Sequence, residues 1–258
     1  MDAEVWVVIP TYNEAANVEG IVRAAVAELE RVVPSAFCIL IVDDNSPDGT
    51  GEIADRLADA HPEVEVLHRS VKTGLGGAYL AGFAYALAGG AERVVVMDAD
   101  FSHDPRYLEP LLDAAESADM VLGSRYVPGG AFQIGLVRRT ISRGGGLYAR
   151  AILGVPIRDL TSGFRCVHRR VLEAIGLETV LAKGYVCNIE ISYRALLAGF
   201  RVEEIPIVCH DRTAGSSKMS TRFILEAMSA VPRLRRSAPG LVARAAETKT
   251  RIGASRVK

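Results

Sequence analysis

Tryptophan occurs once in this 258-residue chain, cysteine four times, and aromatic residues make up only 6% of it. Each scarcity closes off an interpretation. Cys38, Cys166, Cys187 and Cys209 stand far apart with no C-x-x-C pair, so neither a disulfide framework nor a cysteine zinc site is encoded, and a reducing cytosol suits them. His61, His68, His168 and His210 likewise lack metal-ligand spacing. No charge of one sign dominates: 30 Lys and Arg face 31 Asp and Glu, for a formal net charge of -1. That excludes a general pull toward nucleic acid and leaves any anion to be held locally. No internal repeat and no basic, apolar leader is visible. The longest uncharged run, Thr73 to Ala91, is punctuated by Gly74, Gly76, Gly77, Gly82, Gly89 and Gly90 and lies between two strand-like segments. It reads as a buried helix with loops at each end, not as a membrane span.

What is present is a regular alternation. With 49% hydrophobic residues, the chain can bury a large core, and one catalytic unit over residues 1–231 is expected, followed by a basic, partly disordered tail at 232–258. Short β-branched runs at Val5–Ile9, Cys38–Val42, Val64–His68 and Arg93–Met97 alternate with helical stretches at Ala15–Val33, Gly51–Ala60, Ala78–Ala88 and Pro105–Ser117. This pattern predicts βαβ units around a mostly parallel central sheet flanked by helices, a Rossmann-like α/β fold. Beyond Val121 the pattern loosens: helices are expected near Val137–Leu153, Arg169–Ile175 and Ile189–Ala198, and one strand over Val202–Val208.

Open parallel sheets bind ligands beyond the carboxyl ends of their strands. Here those ends carry Pro10-Thr11-Tyr12-Asn13-Glu14, then Asp43-Asp44, then Asp98-Ala99-Asp100. Carboxylates two apart on extended backbone project to one side and can share a divalent cation, with Mg²⁺ or Mn²⁺ suited to hard oxygen ligands. An isolated D-x-D is more often a solvated acidic turn. The first segment also reads as a turn in which Thr11 or Asn13 caps the following helix, and Asp43 to Thr50 as a strand exit, turn and helix start. Adjacent acids are also able to accept hydrogen bonds from a nucleobase or ribose.

Taken together at these intervals, the three segments resemble the family 2 inverting glycosyltransferases, whose fold is called GT-A. Met97 to Pro105, Gly123-Ser124-Arg125-Tyr126, Asp159 to Arg165 and Arg212 to Lys218 narrow the resemblance to the dolichol-phosphate mannose synthase group, over about residues 5 to 220. The resemblance implies that Pro10, Tyr12, Glu14, Val42, Asp43 and Asp44 hold a nucleoside, while Asp98, Ala99 and Asp100 meet the donor diphosphate and its metal. Asp100 is then the principal metal ligand, with Asp98 beside it. Ser102 stands where a further ligand, often glutamine, occurs, which leaves that contact weaker. Arg125, Arg212 and Lys218 would serve the phosphates and, with Asp100, carry catalysis. Arg125, Arg139, Ser162 and Arg165 would face the acceptor phosphate, with Arg138 and Arg143 nearby. His103 reads as a structural histidine, because Asp104-Pro105 signals a helix start.

The activity so implied is transfer of mannose from GDP-mannose to dolichyl or polyprenyl phosphate with inversion. The implied location is the cytoplasm, peripheral on the cytoplasmic face of a membrane. The basic tail and the helix after Lys218 offer contact with that surface or with a separate membrane-anchoring protein, and a merely solvated tail is the alternative. Three alternatives stand beside it. UDP-glucose is a possible donor for the same lipid. A nucleotide-binding regulatory module would keep Asp44 and Asp100 without turnover. A dinucleotide oxidoreductase is suggested by Gly74-Leu75-Gly76-Gly77, but Tyr79 occupies the position of the third glycine.

Overall fold

The computed structural model describes residues 3–133, 135–180, 184, 186–210, 228–243 and 248. The chain order is β1 (Val5–Thr11), α1 (Val18–Val32), β2 (Phe37–Asp43), α2 (Thr50–Ala60), β3 (Val64–His68), α3 (Leu75–Ala88) and β4 (Arg93–Val96). It continues with α4 (Leu108–Ala114), β5 (Met120–Ser124), β6 (Ala131–Gln133), α5 (Leu136–Leu153), β7 (Arg165–His168), α6 (Arg169–Ala174), α7 (Val186–Leu197), β8 (Val202–Pro206) and β9 (Val208–His210). A last helix, α8, covers residues 228–243.

Seven strands form one sheet in the order β3-β2-β1-β4-β7-β5-β8. β1 and β2 are buried at every position, as strands covered on both faces must be. Side-chain alternation along β1 sorts the core into two layers: Val5, Val7 and Ile9 face α1 and α4, while Trp6 and Val8 face α3. Helix α1 meets its layer with Val18, Ile21, Val22, Ala25, Val26 and Leu29, a spacing that makes one apolar stripe. Each such aliphatic side chain contributes about 1.5 to 3 kcal/mol on full burial.

The glycines of α3 serve packing. A Cβ on Gly82 would lie 2.4 Å from Val8 Cγ1, so α3 approaches β1 more closely than any side chain permits. Among the described residues no helix is long and apolar enough to cross a membrane. All four cysteines are buried and outside any disulfide, and burial pushes the thiols of Cys166 and Cys187 up to about 12.

Four details differ from the sequence reading. β7 enters the sheet antiparallel to β4 and β5, which no local periodicity announces. The single strand expected over Val202–Val208 breaks at Ile207, and its second half, β9, leaves the main sheet to pair with β6. Neither Thr11 nor Asn13 caps α1: the cap position is Asn17, Thr11 Oγ1 turns to Asp43, and Asn13 takes a left-handed φ of 57°. The boundary expected at residues 231 and 232 falls inside α8, which buries Val231 and Leu234 in the core and is tied to α5 by the Arg235 bond to the Leu153 carbonyl, 3.2 Å.

Candidate active site

Parallel register places the ends of β1 and β2 side by side, Thr11 opposite Asp43, and β4 runs on the other flank of β1. The chain turns sharply at each exit. Of the four non-glycine residues with positive φ among the described residues, Asn13, Asn45 and Phe101 follow β1, β2 and β4. Backbone in that region costs free energy unless its surroundings hold it, and it gathers at functional sites.

The two adjacent aspartates after β2 have separate work. Asp43 accepts from Thr11 Oγ1 at 3.1 Å, Ser46 Oγ at 2.5 Å and the Ser46 amide at 3.1 Å; its carboxylate stitches the loop together. Asp44 instead accepts from the Arg69 guanidinium. Burial nonetheless pushes its carboxyl above the ordinary aspartate value, against the pull of Arg69 and Lys72. Lys72 Nζ sits 3.2 Å from the centroid of the Tyr12 ring, a cation–π contact. Glu14 is half-buried; its amide donates to Thr50 Oγ1 at 2.9 Å and its carboxylate accepts from Asn17 at 2.9 Å. Pro10 and Val42 are buried in the floor. Arg69 and Lys72 were missed in the sequence, although they follow β3 at the same edge of the sheet and the strand-end rule reaches them as well.

Asp98 lies just beyond β4, and Ala99 and Asp100 lie on the turn after it, so the triplet is not the continuous extended run that the D-x-D spacing suggested. Phe101 at φ 60° reverses the chain and its ring packs over Gly20 of α1. Asp100 is 3% exposed and accepts from the Ser102 amide at 3.0 Å, so Ser102 closes this turn. Asp98 Oδ1 accepts from Tyr79 Oη at 3.2 Å. The Asp98 amide donates to His103 Nδ1 at 3.0 Å, which puts the imidazole proton on Nε2. Burial lowers the His103 pKa despite Asp98 and Asp100 nearby, so the ring is neutral. Among the described residues no three His, Cys, Asp or Glu side chains converge as a metal ligand set.

Across the sheet, Arg125 follows β5 and meets Asp159 through two bonds of 2.7 Å, with a third of 2.8 Å to Thr161 Oγ1. Burial opposes ionisation of Asp159, yet the Arg125 guanidinium holds its carboxyl below the ordinary value. The guanidinium also lies 4.5 Å from the Phe132 ring centroid. Ser162 is buried and donates to the Gly123 carbonyl at 2.6 Å. Arg165 is 1% exposed; it donates to the carbonyls of Ser162 and Asn188, and burial lowers its pKa to about 10. Ser162 and Arg165 thus brace the loop from beneath. Arg139 is exposed on the first turns of α5, and Arg143 is exposed one turn further on. The side chain of Arg138, and Arg212 and Lys218 entirely, lie outside the described residues.

Residues 6–176 match glycosyl transferase family 2. The chain belongs to this family. It is therefore a glycosyltransferase with a GT-A-type fold. It is 48% identical over 225 residues to the polyprenol monophosphomannose synthase of Mycolicibacterium smegmatis, covering 86% of this chain and 83% of that one. To the undecaprenyl-phosphate mannosyltransferase of Micrococcus luteus it is 42% identical over 250 residues, 96% of this chain and 99% of the other. Among solved structures, glucosyl-3-phosphoglycerate synthase from Mycobacterium tuberculosis with Mn²⁺ and UDP superposes with a TM-score of 0.61 at 18% identity, over 95% of this chain and 80% of that chain. That likeness is one of fold. In this glycosyltransferase, the Tyr12, Asp44 and Asp98 segments gather on one side and the Arg125–Asp159 pair on the other.

Proposed function

We propose that this family 2 enzyme transfers mannose from GDP-mannose to the phosphate of a polyprenol or dolichol, inverting the anomeric centre. The observation that carries the reading is the 48% and 42% identity, over most of the chain, to two enzymes named for mannose transfer to polyprenyl phosphates. The residue chemistry supports it. Tyr12, Glu14, Asp44, Pro10 and Val42 form a floor and rim able to take a nucleoside, while Asp98, Ala99 and Asp100 lie where its diphosphate would extend.

Asp98 and Asp100 suit Mg²⁺ or Mn²⁺. Such ions keep several waters and take one or two carboxylates together with substrate phosphates, so a full protein cage is not required. When bound, the ion would neutralise charge on the departing nucleoside diphosphate. The protein's own work is alignment and field. A phosphate monoester acceptor is already anionic near neutral pH, so no side chain need remove a proton. Arg125, held flat by Asp159 and Thr161, presents its remaining guanidinium edge to a phosphate in a fixed direction, and a planar fork suits that recognition. Arg212 and Lys218 belong to the same electrostatic task, and displacement from the face opposite the diphosphate gives the β-linked product.

The test is direct. Purified protein is incubated with radiolabelled GDP-mannose, Mg²⁺ or Mn²⁺ and a short polyprenyl phosphate, and the organic phase is counted. Labelled lipid that is labile to mild acid is the expected product; none with either metal sinks the proposal. Competition between GDP and UDP for donor binding separates it from a UDP-glucose enzyme. Sugar transfer to the lipid by the parent protein excludes a nucleotide-binding module without turnover.

A further inference from the structure

Asp98 is gripped twice by side chains outside the D-x-D triplet. Tyr79, from α3, reaches one carboxylate oxygen at 3.2 Å. His103 takes the Asp98 amide proton on Nδ1 at 3.0 Å and turns its Nε2–H toward the other carboxylate oxygen, 3.9 Å away. Neither Tyr79 nor His103 is exposed.

Both also lean on the loop across the sheet. The His103 ring stacks on Phe164 with centroids 4.8 Å apart and planes inclined by 15°. Gly163 sits so close that a Cβ there would lie 2.9 Å from Tyr79 Oη and 3.3 Å from His103 Cε1. Gly163 is not in the left-handed region, so its need to be glycine is steric and comes from these two side chains. The same loop carries Asp159 and Thr161, the anchors of Arg125.

We infer that Tyr79 and His103 are positioning residues for Asp98 and that, through Gly163 and Phe164, they tie the donor-side turn to the loop that holds Arg125. The inference rests on the proposed donor role of Asp98. A shift of the Arg125 loop then moves Asp98 without any contact between them. A buried polar network of this kind has discrete arrangements, because close-packed groups cannot slide continuously. Outer-shell partners of ligating carboxylates commonly alter metal affinity by about 10- to 100-fold when removed.

The experiment measures binding of Mn²⁺ in the presence of GDP by the decline of the free-ion electron paramagnetic resonance signal. It compares full-length wild type with Gly163→Ala, Tyr79→Phe, His103→Asn and His103→Phe. Gly163→Ala adds one methyl group on the far loop and is expected to weaken Mn²⁺ binding about tenfold. Tyr79→Phe removes a single oxygen and should weaken it several-fold while raising the KM for donor and leaving the KM for acceptor alone. His103→Asn keeps an acceptor near the Nδ1 position and loses the stack; His103→Phe keeps the stack and loses the acceptor. Both should fall between wild type and Gly163→Ala.

Thermal melting establishes which variants are folded, and Tyr79→Phe, the mildest, decides the matter if the others are not. Wild-type Mn²⁺ affinity in folded Gly163→Ala and Tyr79→Phe, with transfer activity intact in the parent, overturns the coupling and leaves the function standing. A parent protein that binds neither Mn²⁺ nor GDP overturns the donor role of Asp98 as well.

Discussion

Around the carboxylates proposed to meet the donor, β1, β2, β3 and β4 run parallel and deliver Tyr12, Asp44, Arg69 and Asp98 from loops at the same edge. Around Arg125 the construction is different: β7 runs against both neighbours, and Asp159 meets a partner 34 residues before it in the chain. The first half places each polar group by where a strand ends. The second places them by pairing, with Arg125 fixed by Asp159, Asp159 by the Glu204 carboxylate at 2.8 Å, and the loop by buried Arg165. One half should therefore lose chemistry when a residue changes, and the other should lose structure.

The sharpest test of that contrast is Asp100→Asn. It keeps the shape of the turn and removes a charge from the donor side. Turnover is expected to fall about a thousandfold, an effect in the range found for removing a single preorganised electrostatic group, while the melting temperature changes little. Transfer at the parent rate, unaffected by chelators, would break the assignment of this side to donor chemistry.

Asp159→Asn should behave in the opposite way. It strands the Arg125 guanidinium, and breaking a buried pair by removing one partner costs about 3 to 5 kcal/mol, readable by urea denaturation. The effect has a defined pH dependence. Asp159 has a folded pKa below its unfolded one, so its contribution is complete above the ordinary carboxylate value and is lost as pH falls toward the lowered folded value. The stability gap between parent and variant should be full at pH 7 and should narrow below about pH 4. A gap that stayed constant into acid would mean that Asp159 is not ionised against Arg125.

The smallest expected effect belongs to Lys72→Ala. Cation–π contacts contribute about 0.5 to 1 kcal/mol at exposed sites, so loss of the Tyr12 contact and of a positive charge near Asp44 should weaken GDP binding several-fold with no change in kcat. Isothermal titration with GDP checks it. If instead kcat falls and affinity holds, Lys72 acts on the transition state, and the line between the two halves must be redrawn.

The contrast also explains what could be read from residue order. Strand ends are local: an apolar run followed by Asp43-Asp44 or Asp98-Ala99-Asp100 announces both the strand and the group it carries, so the parallel half of the sheet and the polar residues at its edge were legible. The roles inside those motifs were less so. Asp43 and Asp44 are neighbours in sequence, yet one is consumed by Thr11 and Ser46 and the other by Arg69. Ser162 and Arg165, expected beside a phosphate, turn their polar groups inward, because an antiparallel β7 buries their segment.

By itself, then, the order of residues determined the α/β alternation, the edge at which polar groups collect and the family, since each depends on periodicity or on contiguous motifs. Tertiary structure alone decided which of those polar groups are already satisfied, which glycines are steric necessities and how Asp98 comes to rest on Gly163 and Phe164. Those outcomes depend on contacts between residues dozens of positions apart, and the free energy of such a contact is set by packing and burial that no local pattern carries.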